Sequence, residues 1–181
     1  MYGGDFAKVE ALLGNTSLIN TANNYGWTNT YSSIHPVLFG DNPDNSFSEM
    51  PYEKGYQLLQ YICNYIGGTA FQKYLAYYID NNSWQSITSF DQQRAFANFV
   101  ASYYPEPETI NAWLEGIAWN EWKYLVGPDP TGTLNFTTTN SVRAQQLALD
   151  YIALNGTASP ANYKQYNTWY SNLKVVFQNT L

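Results

Sequence analysis

A tyrosine at the start of a helical segment is the residue of this chain best suited to do chemistry. Tyr52 follows Pro51 within the stretch 44–55 and opens a run with apolar residues at helical spacing. A phenol held on a rigid helix can donate a hydrogen bond to the oxyanion that develops on a substrate carbonyl. The same spacing also fits a plainer interpretation, in which Tyr52 is the first ring of an apolar core stripe.

The residues that would complete a metallohydrolase site are missing from the chain. A zinc hydrolase needs two histidines one helical turn apart and a third ligand, whereas the chain has one histidine, His35, in a turn-like Ile34-His35-Pro36 context. The single cysteine, Cys63, falls in an apolar helical pattern, where a small core residue is a commoner interpretation than a reactive thiol. We therefore predict no metal-binding residues and no cofactor in this chain, and only half of an active site.

Two other groups of residues admit a functional and a structural interpretation. Glu53 and Lys54 are neighbours, and adjacent side chains on a helix do not face each other, which favours solvated or structural roles over a catalytic pair. Trp113, Trp119 and Trp122 could stack on a ligand, but their spacing suits the packed end of a helix.

Composition narrows the classes of function. The 181 residues carry a net charge of −6, and the eight lysines and arginines are scattered singly, which excludes a basic stripe for phosphates. Aromatic residues make up 18% and charged residues 12%, so many rings must pack inside the protein or against a neighbour. No apolar run approaches the ~20 residues of a membrane span, and the first residues lack a signal-peptide pattern. We predict no nucleic-acid partner, no membrane partner and a cytoplasmic location.

Most of the chain is predicted to be helical. Apolar spacing indicates two short helices at 5–13 and 16–24, an irregular segment at 26–45, and a central helix that starts near Met50, with Ser48 as its cap, and stops at Gly67-Gly68. Two apolar stripes predict burial of the central helix on most sides; they consist of Tyr52, Tyr56, Leu59, Cys63 and Ile66, and of Leu58, Ile62 and Tyr65.

Further helices are predicted after the double glycine. Thr69 and Gln72 have the spacing of a capping box, and Thr88 or Ser89 caps the helix after that one. Prolines 105 and 107 end this helix. A short helix at 110–117 and a Trp-rich turn come next.

A change in composition predicts a domain boundary. Residues 126–140 have the proline and glycine punctuation of a linker between a unit at 1–125 and a second unit at 141–181. The second unit is predicted to hold one helix at 141–154 and another that starts at Ser159-Pro160. Its apolar seam, formed by Tyr163, Tyr166, Tyr170, Leu173 and Phe177, has nothing left in the chain to cover it. We expect a protein partner or a missing domain to cover this seam.

An ordered set of motifs resembles the gluzincin aminopeptidases, specifically their leukotriene-A4 hydrolase branch. The set comprises Tyr2-Gly3-x-x-Phe6, Asn42-Pro43-Asp44, Pro51-Tyr52-Glu53-Lys54-Gly55, Gly67-Gly68, Ser86-Ile87-Thr88, Ala112-Trp113-Leu114, Trp119-Asn120-x-Trp122 and Gly127-Pro128. The likeness is good over 1–140 and weak beyond. It implies an all-α chain: the helical part of a thermolysin-like catalytic domain, followed by the first helices of an armadillo- or HEAT-like helical-repeat domain.

The resemblance also implies roles for individual residues. Tyr52 takes the position of the proton donor to the tetrahedral intermediate. Asp44 matches a carboxylate that lines the substrate pocket, although Asn-Pro-Asp is also an ordinary turn. Phe47 stands where the hydrolase branch has a second tyrosine, which puts epoxide hydrolysis in doubt more than peptide hydrolysis. The zinc ligands and the general-base glutamate would lie upstream of this chain.

Two functions of different classes are compatible with these residues. The preferred one is part of a zinc aminopeptidase that removes N-terminal residues from peptides and is inactive without an upstream zinc-binding segment. The alternative is a non-catalytic helical binding or structural subunit descended from such an enzyme. An in-frame His-Glu-x-x-His segment upstream would favour the first, and a promoter with a true start codon would favour the second.

Overall fold

The computed structural model describes residues 4–181, and in that range the chain contains helices and no β-strand. The α-helices are α1 (Gly4–Tyr25), α2 (Met50–Ile66), α3 (Gly68–Asn82), α4 (Ser89–Tyr103), α5 (Pro107–Glu115), α6 (Trp119–Tyr124), α7 (Thr139–Leu154) and α8 (Ser171–Thr180), with 3₁₀ turns at Thr30–Ser32, Pro43–Ser46 and Tyr163–Thr168. The prediction of an all-α chain is confirmed. Tyr2 and Gly3, the first motif residues, lie outside the described range. No helix among residues 4–181 combines the length and the apolar character needed to cross a membrane.

Helix α1 runs unbroken where the sequence predicted two short helices. The predicted break is wrong because Gly14 and Asn15 are held inside the helix by contacts with α2. A Cβ atom at Gly14 would come within 1.9 Å of the Glu53 carboxylate, so glycine permits this close approach. The Asn15 side chain accepts a hydrogen bond of 2.8 Å from Gln57. These tertiary contacts outweigh the ~1 kcal/mol that a glycine costs within a helix.

Helix α2 begins at Met50 as predicted, but the predicted cap at Ser48 is wrong: the N-cap residue is Glu49, whose side chain makes no capping bond, and the Ser48 hydroxyl, one residue earlier, accepts the Met50 N–H at 3.2 Å. The prediction of burial on most sides is wrong, because the fully buried residues lie on one face, and beside it the Tyr61 and Tyr65 hydroxyls reach the end of α5, at the backbone oxygens of Gly116 and Ala112. That face consists of Met50, Lys54, Gln57, Leu58, Ile62 and Ile66, whereas Tyr52, Tyr56 and Tyr65 are exposed.

The main core lies among α2, α3, α4 and α6. Its buried residues are Leu58, Ile62, Ile66, Ala70, Tyr74, Phe96, Phe99, Val100, Ile117 and Trp122. Trp113 and Trp119 pack against this cluster at its margin, which confirms their interpretation as core residues. The predicted Trp-rich turn is itself helical, as α6.

The capping patterns in the sequence predicted the start of α4 correctly and the start of α3 incorrectly. Thr88 caps α4 as predicted, in a capping box that Asp91 completes. Thr69 does not cap α3, because the helix already starts at Gly68 after Gly67, which has a φ of +87°. The glycine conformation therefore ends α2 and lets α3 begin two residues earlier than a cap at Thr69 would allow.

The C-terminal helices pack against α1. The predicted helix start at Ser159-Pro160 is wrong: a 3₁₀ turn occupies Tyr163–Thr168, and α8 begins at Ser171. The statement that nothing in the chain covers the seam is also wrong, because Leu173 and Phe177 are buried in a second cluster with α7 and with Val9 of α1. At 22 residues, α1 is long enough, about 33 Å, to contact both α2 and α8. The division of the chain at 126–140 stays a prediction.

Candidate active site

Tyr52 lies in the first turn of α2 and faces away from the core. Its side chain is 61% exposed, so its interpretation as a core ring is wrong. The ring meets Phe47 edge to face, with centroids 6.4 Å apart and planes at 77°. Within residues 4–181 the Tyr52 hydroxyl has no hydrogen-bond partner. A phenol in this arrangement is free to donate a hydrogen bond to an external acceptor.

Asp44 and Phe47 lie on the loop that leads into α2. The Asn42 side chain accepts the Asp44 N–H at 3.1 Å and starts the 3₁₀ turn that carries Asp44. Both Asp44 and Phe47 are exposed. The structure thus brings Phe47 to Tyr52 and keeps Asp44 on the same loop, where the Asp44 backbone oxygen accepts the Phe47 N–H at 3.3 Å.

Tyrosines from α1 and from the following turn hold this loop in place. The Tyr25 hydroxyl bonds the backbone oxygens of Asn45 at 3.1 Å and Phe47 at 3.2 Å. Tyr31 donates to Asp41 at 2.6 Å, and this hydrogen bond raises the pKa of Tyr31 above its usual value. Sequence reasoning missed both tyrosines, since no local pattern links them to a loop that lies ten or more residues further along the chain.

Glu53 faces α1 beside a groove of about 350 Å³. The groove is lined by Phe6, Ala7, Glu10, Ala11, Glu53 and Tyr56. Burial is the main cause that raises the pKa of Glu53, and the charges of Glu49 and Glu10 add to it. Glu53 packs over Gly14 and does not face Tyr52, in line with its predicted structural role.

Lys54 is fully buried on the inner face of α2. Its ammonium group donates to the backbone oxygen of Leu125. Burial lowers the pKa of Lys54 to about 8, against an opposing effect of Asp129. Of the two predicted roles, solvated or structural, the structure therefore assigns the structural one. The spacing Met50, Lys54, Leu58 and Ile62 was the signal in the sequence that could have placed Lys54 on an apolar face.

The described residues do not fit a zinc ion. No group of three or more histidine, cysteine or acidic side chains within residues 4–181 could hold a metal. His35 is a turn residue whose backbone N–H donates to Lys123 at 3.0 Å, and its ring packs against Tyr124. Cys63 is half-buried on α2. These two residues lie on different elements, and neither has further ligands beside it.

The buried lysine predicts a pH dependence of stability. The folded-state pKa of Lys54, about 8, lies below its ordinary value of 10.5. Between these two values the unfolded chain binds more protons than the folded chain, so the free energy of unfolding should rise with pH, by up to about 1.4 kcal/mol per pH unit. Urea denaturation from pH 7 to 10 measures this rise. Lys54→Met is the reference, because it lacks this titrating group and keeps all the others. If the free energy of unfolding changed with pH in the same way for both proteins, the expectation would be wrong.

Known proteins resemble this chain over most of its length. The family model described as "Peptidase family M1 domain" matches residues 9–119. The leukotriene A-4 hydrolase of Xenopus laevis is 32% identical over 131 residues, which are 72% of this chain and 20% of that protein. A leukotriene A-4 hydrolase homolog of Botryotinia fuckeliana is 25% identical over 177 residues, which are 98% of this chain and 26% of that protein. The chain thus spans about a fifth to a quarter of the length of these relatives.

A further relative and a solved structure are similar to this chain. The leucine aminopeptidase 2 of Ajellomyces capsulatus is 28% identical over 130 residues, 72% of this chain and 20% of that protein. The structure of native yeast LTA4 hydrolase superimposes with a TM-score of 0.83 at 24% identity, over 99% of this chain and 29% of that one. The structural likeness covers the fold from end to end.

Proposed function

Because the chain belongs to peptidase family M1, we propose that it is the part of an aminopeptidase that supplies the oxyanion-stabilising tyrosine, Tyr52, while the metal site lies on another segment. The observation that carries this proposal is the exposed Tyr52 hydroxyl, which has no partner within residues 4–181 and stands on an anchored helix. Peptides are the substrate class that the family implies. A polypeptide in which a zinc-binding His-Glu-x-x-His segment precedes this chain is called the complete enzyme.

The chemistry of Tyr52 follows from the charge that develops on the substrate. When a peptide bond is hydrolysed, its carbonyl oxygen becomes an oxyanion in the tetrahedral intermediate. A preorganised donor aimed at that oxygen stabilises the intermediate more than the ground state. The phenol of Tyr52 is such a donor, and its ring meets the ring of Phe47 edge to face. We further propose that Asp44, which lies on the same exposed loop, lines the substrate pocket.

The isolated chain should neither retain zinc nor cleave aminoacyl p-nitroanilides, because His35 and Cys63 lie on separate elements. Elemental analysis after dialysis against a mild chelator measures the metal, and absorbance measures cleavage. The complete enzyme should hold about one zinc and cleave the same substrates. A His35→Ala/Cys63→Ser variant of the complete enzyme is the matched control and should keep its zinc.

Two outcomes would contradict this proposal. Stoichiometric zinc in the isolated chain would show a metal site that these residues were not expected to form. A complete enzyme that holds zinc, folds and remains inert would favour the alternative, a non-catalytic helical subunit.

A further inference from the structure

The inner face of the α2 turn opposite Tyr52 holds two buried polar side chains. Successive residues on a helix are about 100° apart, so Lys54 projects roughly 200° away from Tyr52. Lys54 and Gln57 are buried at 0% and 1% exposure, whereas the Tyr52 ring is 61% exposed. The partner ring of Tyr52, Phe47, is itself exposed. The position of the Tyr52 hydroxyl therefore depends on how the backbone of this turn is held from its inner side.

Hydrogen bonds tie this inner face to two distant segments. Lys54 donates to the backbone oxygen of Leu125. Gln57 accepts the Asp129 N–H at 2.9 Å and donates to Asn15 of α1 at 2.8 Å. The first turns of α2 are thus attached both to α1 and to the loop after α6.

The loop after α6, to which Lys54 and Gln57 bond, is held by further hydrogen bonds. The Asp129 carboxylate accepts backbone N–H groups from Thr131 at 2.7 Å, and from Thr133 and Leu134 at 2.9 Å. Gly127 donates its N–H to Ser32 at 3.0 Å. An anchor to this loop therefore fixes α2 against a defined structure.

We propose that Lys54 is a positioning residue for Tyr52, which it holds through its bond to the Leu125 backbone oxygen. This inference rests on the proposed function of Tyr52. A hydrogen bond from an ammonium group is directional and roughly twice as strong as a neutral one, so it resists sliding and rotation of the helix more than an apolar contact would. An oxyanion donor must lie within about 2.7–3.1 Å of its acceptor, and a misplacement of about 1 Å can cost 10²-fold in rate.

A double-mutant cycle in the complete enzyme tests this role. Lys54→Met keeps the length of the side chain and removes the donor, and should lower kcat by about 10-fold or more with KM within about twofold. In a Tyr52→Phe background, Lys54→Met should cause no further loss of kcat beyond about twofold, because Lys54 acts through the tyrosine. Ile62→Val is the matched control: it removes a buried group from the same helix and should leave kcat unchanged.

The outcomes separate the two proposals. Unchanged kcat in Lys54→Met, or losses that multiply in the double mutant, would overturn the positioning role while Tyr52 keeps its function. Full kcat in Tyr52→Phe would overturn the function of Tyr52, and the positioning role with it. If Lys54→Met does not fold, the cycle is run with Gln57→Met, which removes the second bond between α2 and the loop after α6. Its loss of kcat should likewise vanish in the Tyr52→Phe background. If the two losses of kcat multiplied instead, the inference would be overturned.

Discussion

Replacement of Tyr52 by phenylalanine in the complete enzyme should lower kcat by about 10²–10³-fold, the scale found when one oxyanion donor is removed. The KM should stay near its starting value, because the hydroxyl acts mainly in the transition state. Steady-state kinetics with an aminoacyl p-nitroanilide measure both quantities. The ring and its contact with Phe47 are retained, so the change removes the donor and little else.

Stability separates this effect from damage to the fold. The Tyr52 hydroxyl has no hydrogen-bond partner among the described residues, so the free energy of unfolding should change by less than about 1 kcal/mol. Phe47→Tyr is the control at the neighbouring ring and should leave peptidase activity near its starting value. Full kcat together with a markedly lower Tm in Tyr52→Phe would identify Tyr52 as a structural residue.

Replacement of Phe99 by alanine should lower the free energy of unfolding by about 3–5 kcal/mol. Phe99 is fully buried on α4. Its ring packs between Tyr74 of α3, with centroids 5.5 Å apart, and Tyr104, with centroids 5.8 Å apart. The cavity left by alanine would remove contacts that join α3 to the segment after α4. Urea denaturation of the isolated chain, followed by circular dichroism, measures the loss.

The same helix offers a matched control for Phe99. Phe90 is 62% exposed, and its ring lies 4.4 Å from the ammonium group of Lys123. Phe90→Ala should therefore cost about 2 kcal/mol, the scale of a cation–π contact to a buried ammonium group, and so less than Phe99→Ala. If Phe99→Ala and Phe90→Ala lowered the free energy of unfolding equally, burial of Phe99 would not be what stabilises the packing of α4 against α3.

Several features could be predicted from neighbouring residues alone. The start of α2 at Met50, the cap at Thr88 and the end of α7 before Asn155 all follow sequence signals. Asn155 adopts the left-handed conformation, with φ of 45°, that often ends a helix. Tyr52 at the start of α2 could be located in the same way, because its place depends on the helix start and not on distant contacts.

Other features depended on residues far apart in the chain. Apolar spacing on α2 allowed two stripes, and only the packing of α1 and α3 decided that the tyrosines face outward. Gly14 resembles a helix breaker until the Glu53 side chain lies against it. The seam on α8 looked uncovered because its partner on α1, Val9, stands at the opposite end of the sequence.

The sequence by itself determined the helical class, the limits of α2, the start of α4, the end of α7, the family motifs and the candidate tyrosine, since these depend on local backbone preferences and on residue order. Only the tertiary structure decided which face of each helix is buried, and hence that Lys54 is an internal anchor while Tyr52 faces outward. The physical reason is that a periodic pattern records where apolar side chains recur, whereas burial also depends on which surfaces arrive from elsewhere in the chain. The bond from Lys54 to Leu125 spans 71 positions of sequence, and no local pattern carries information over that separation.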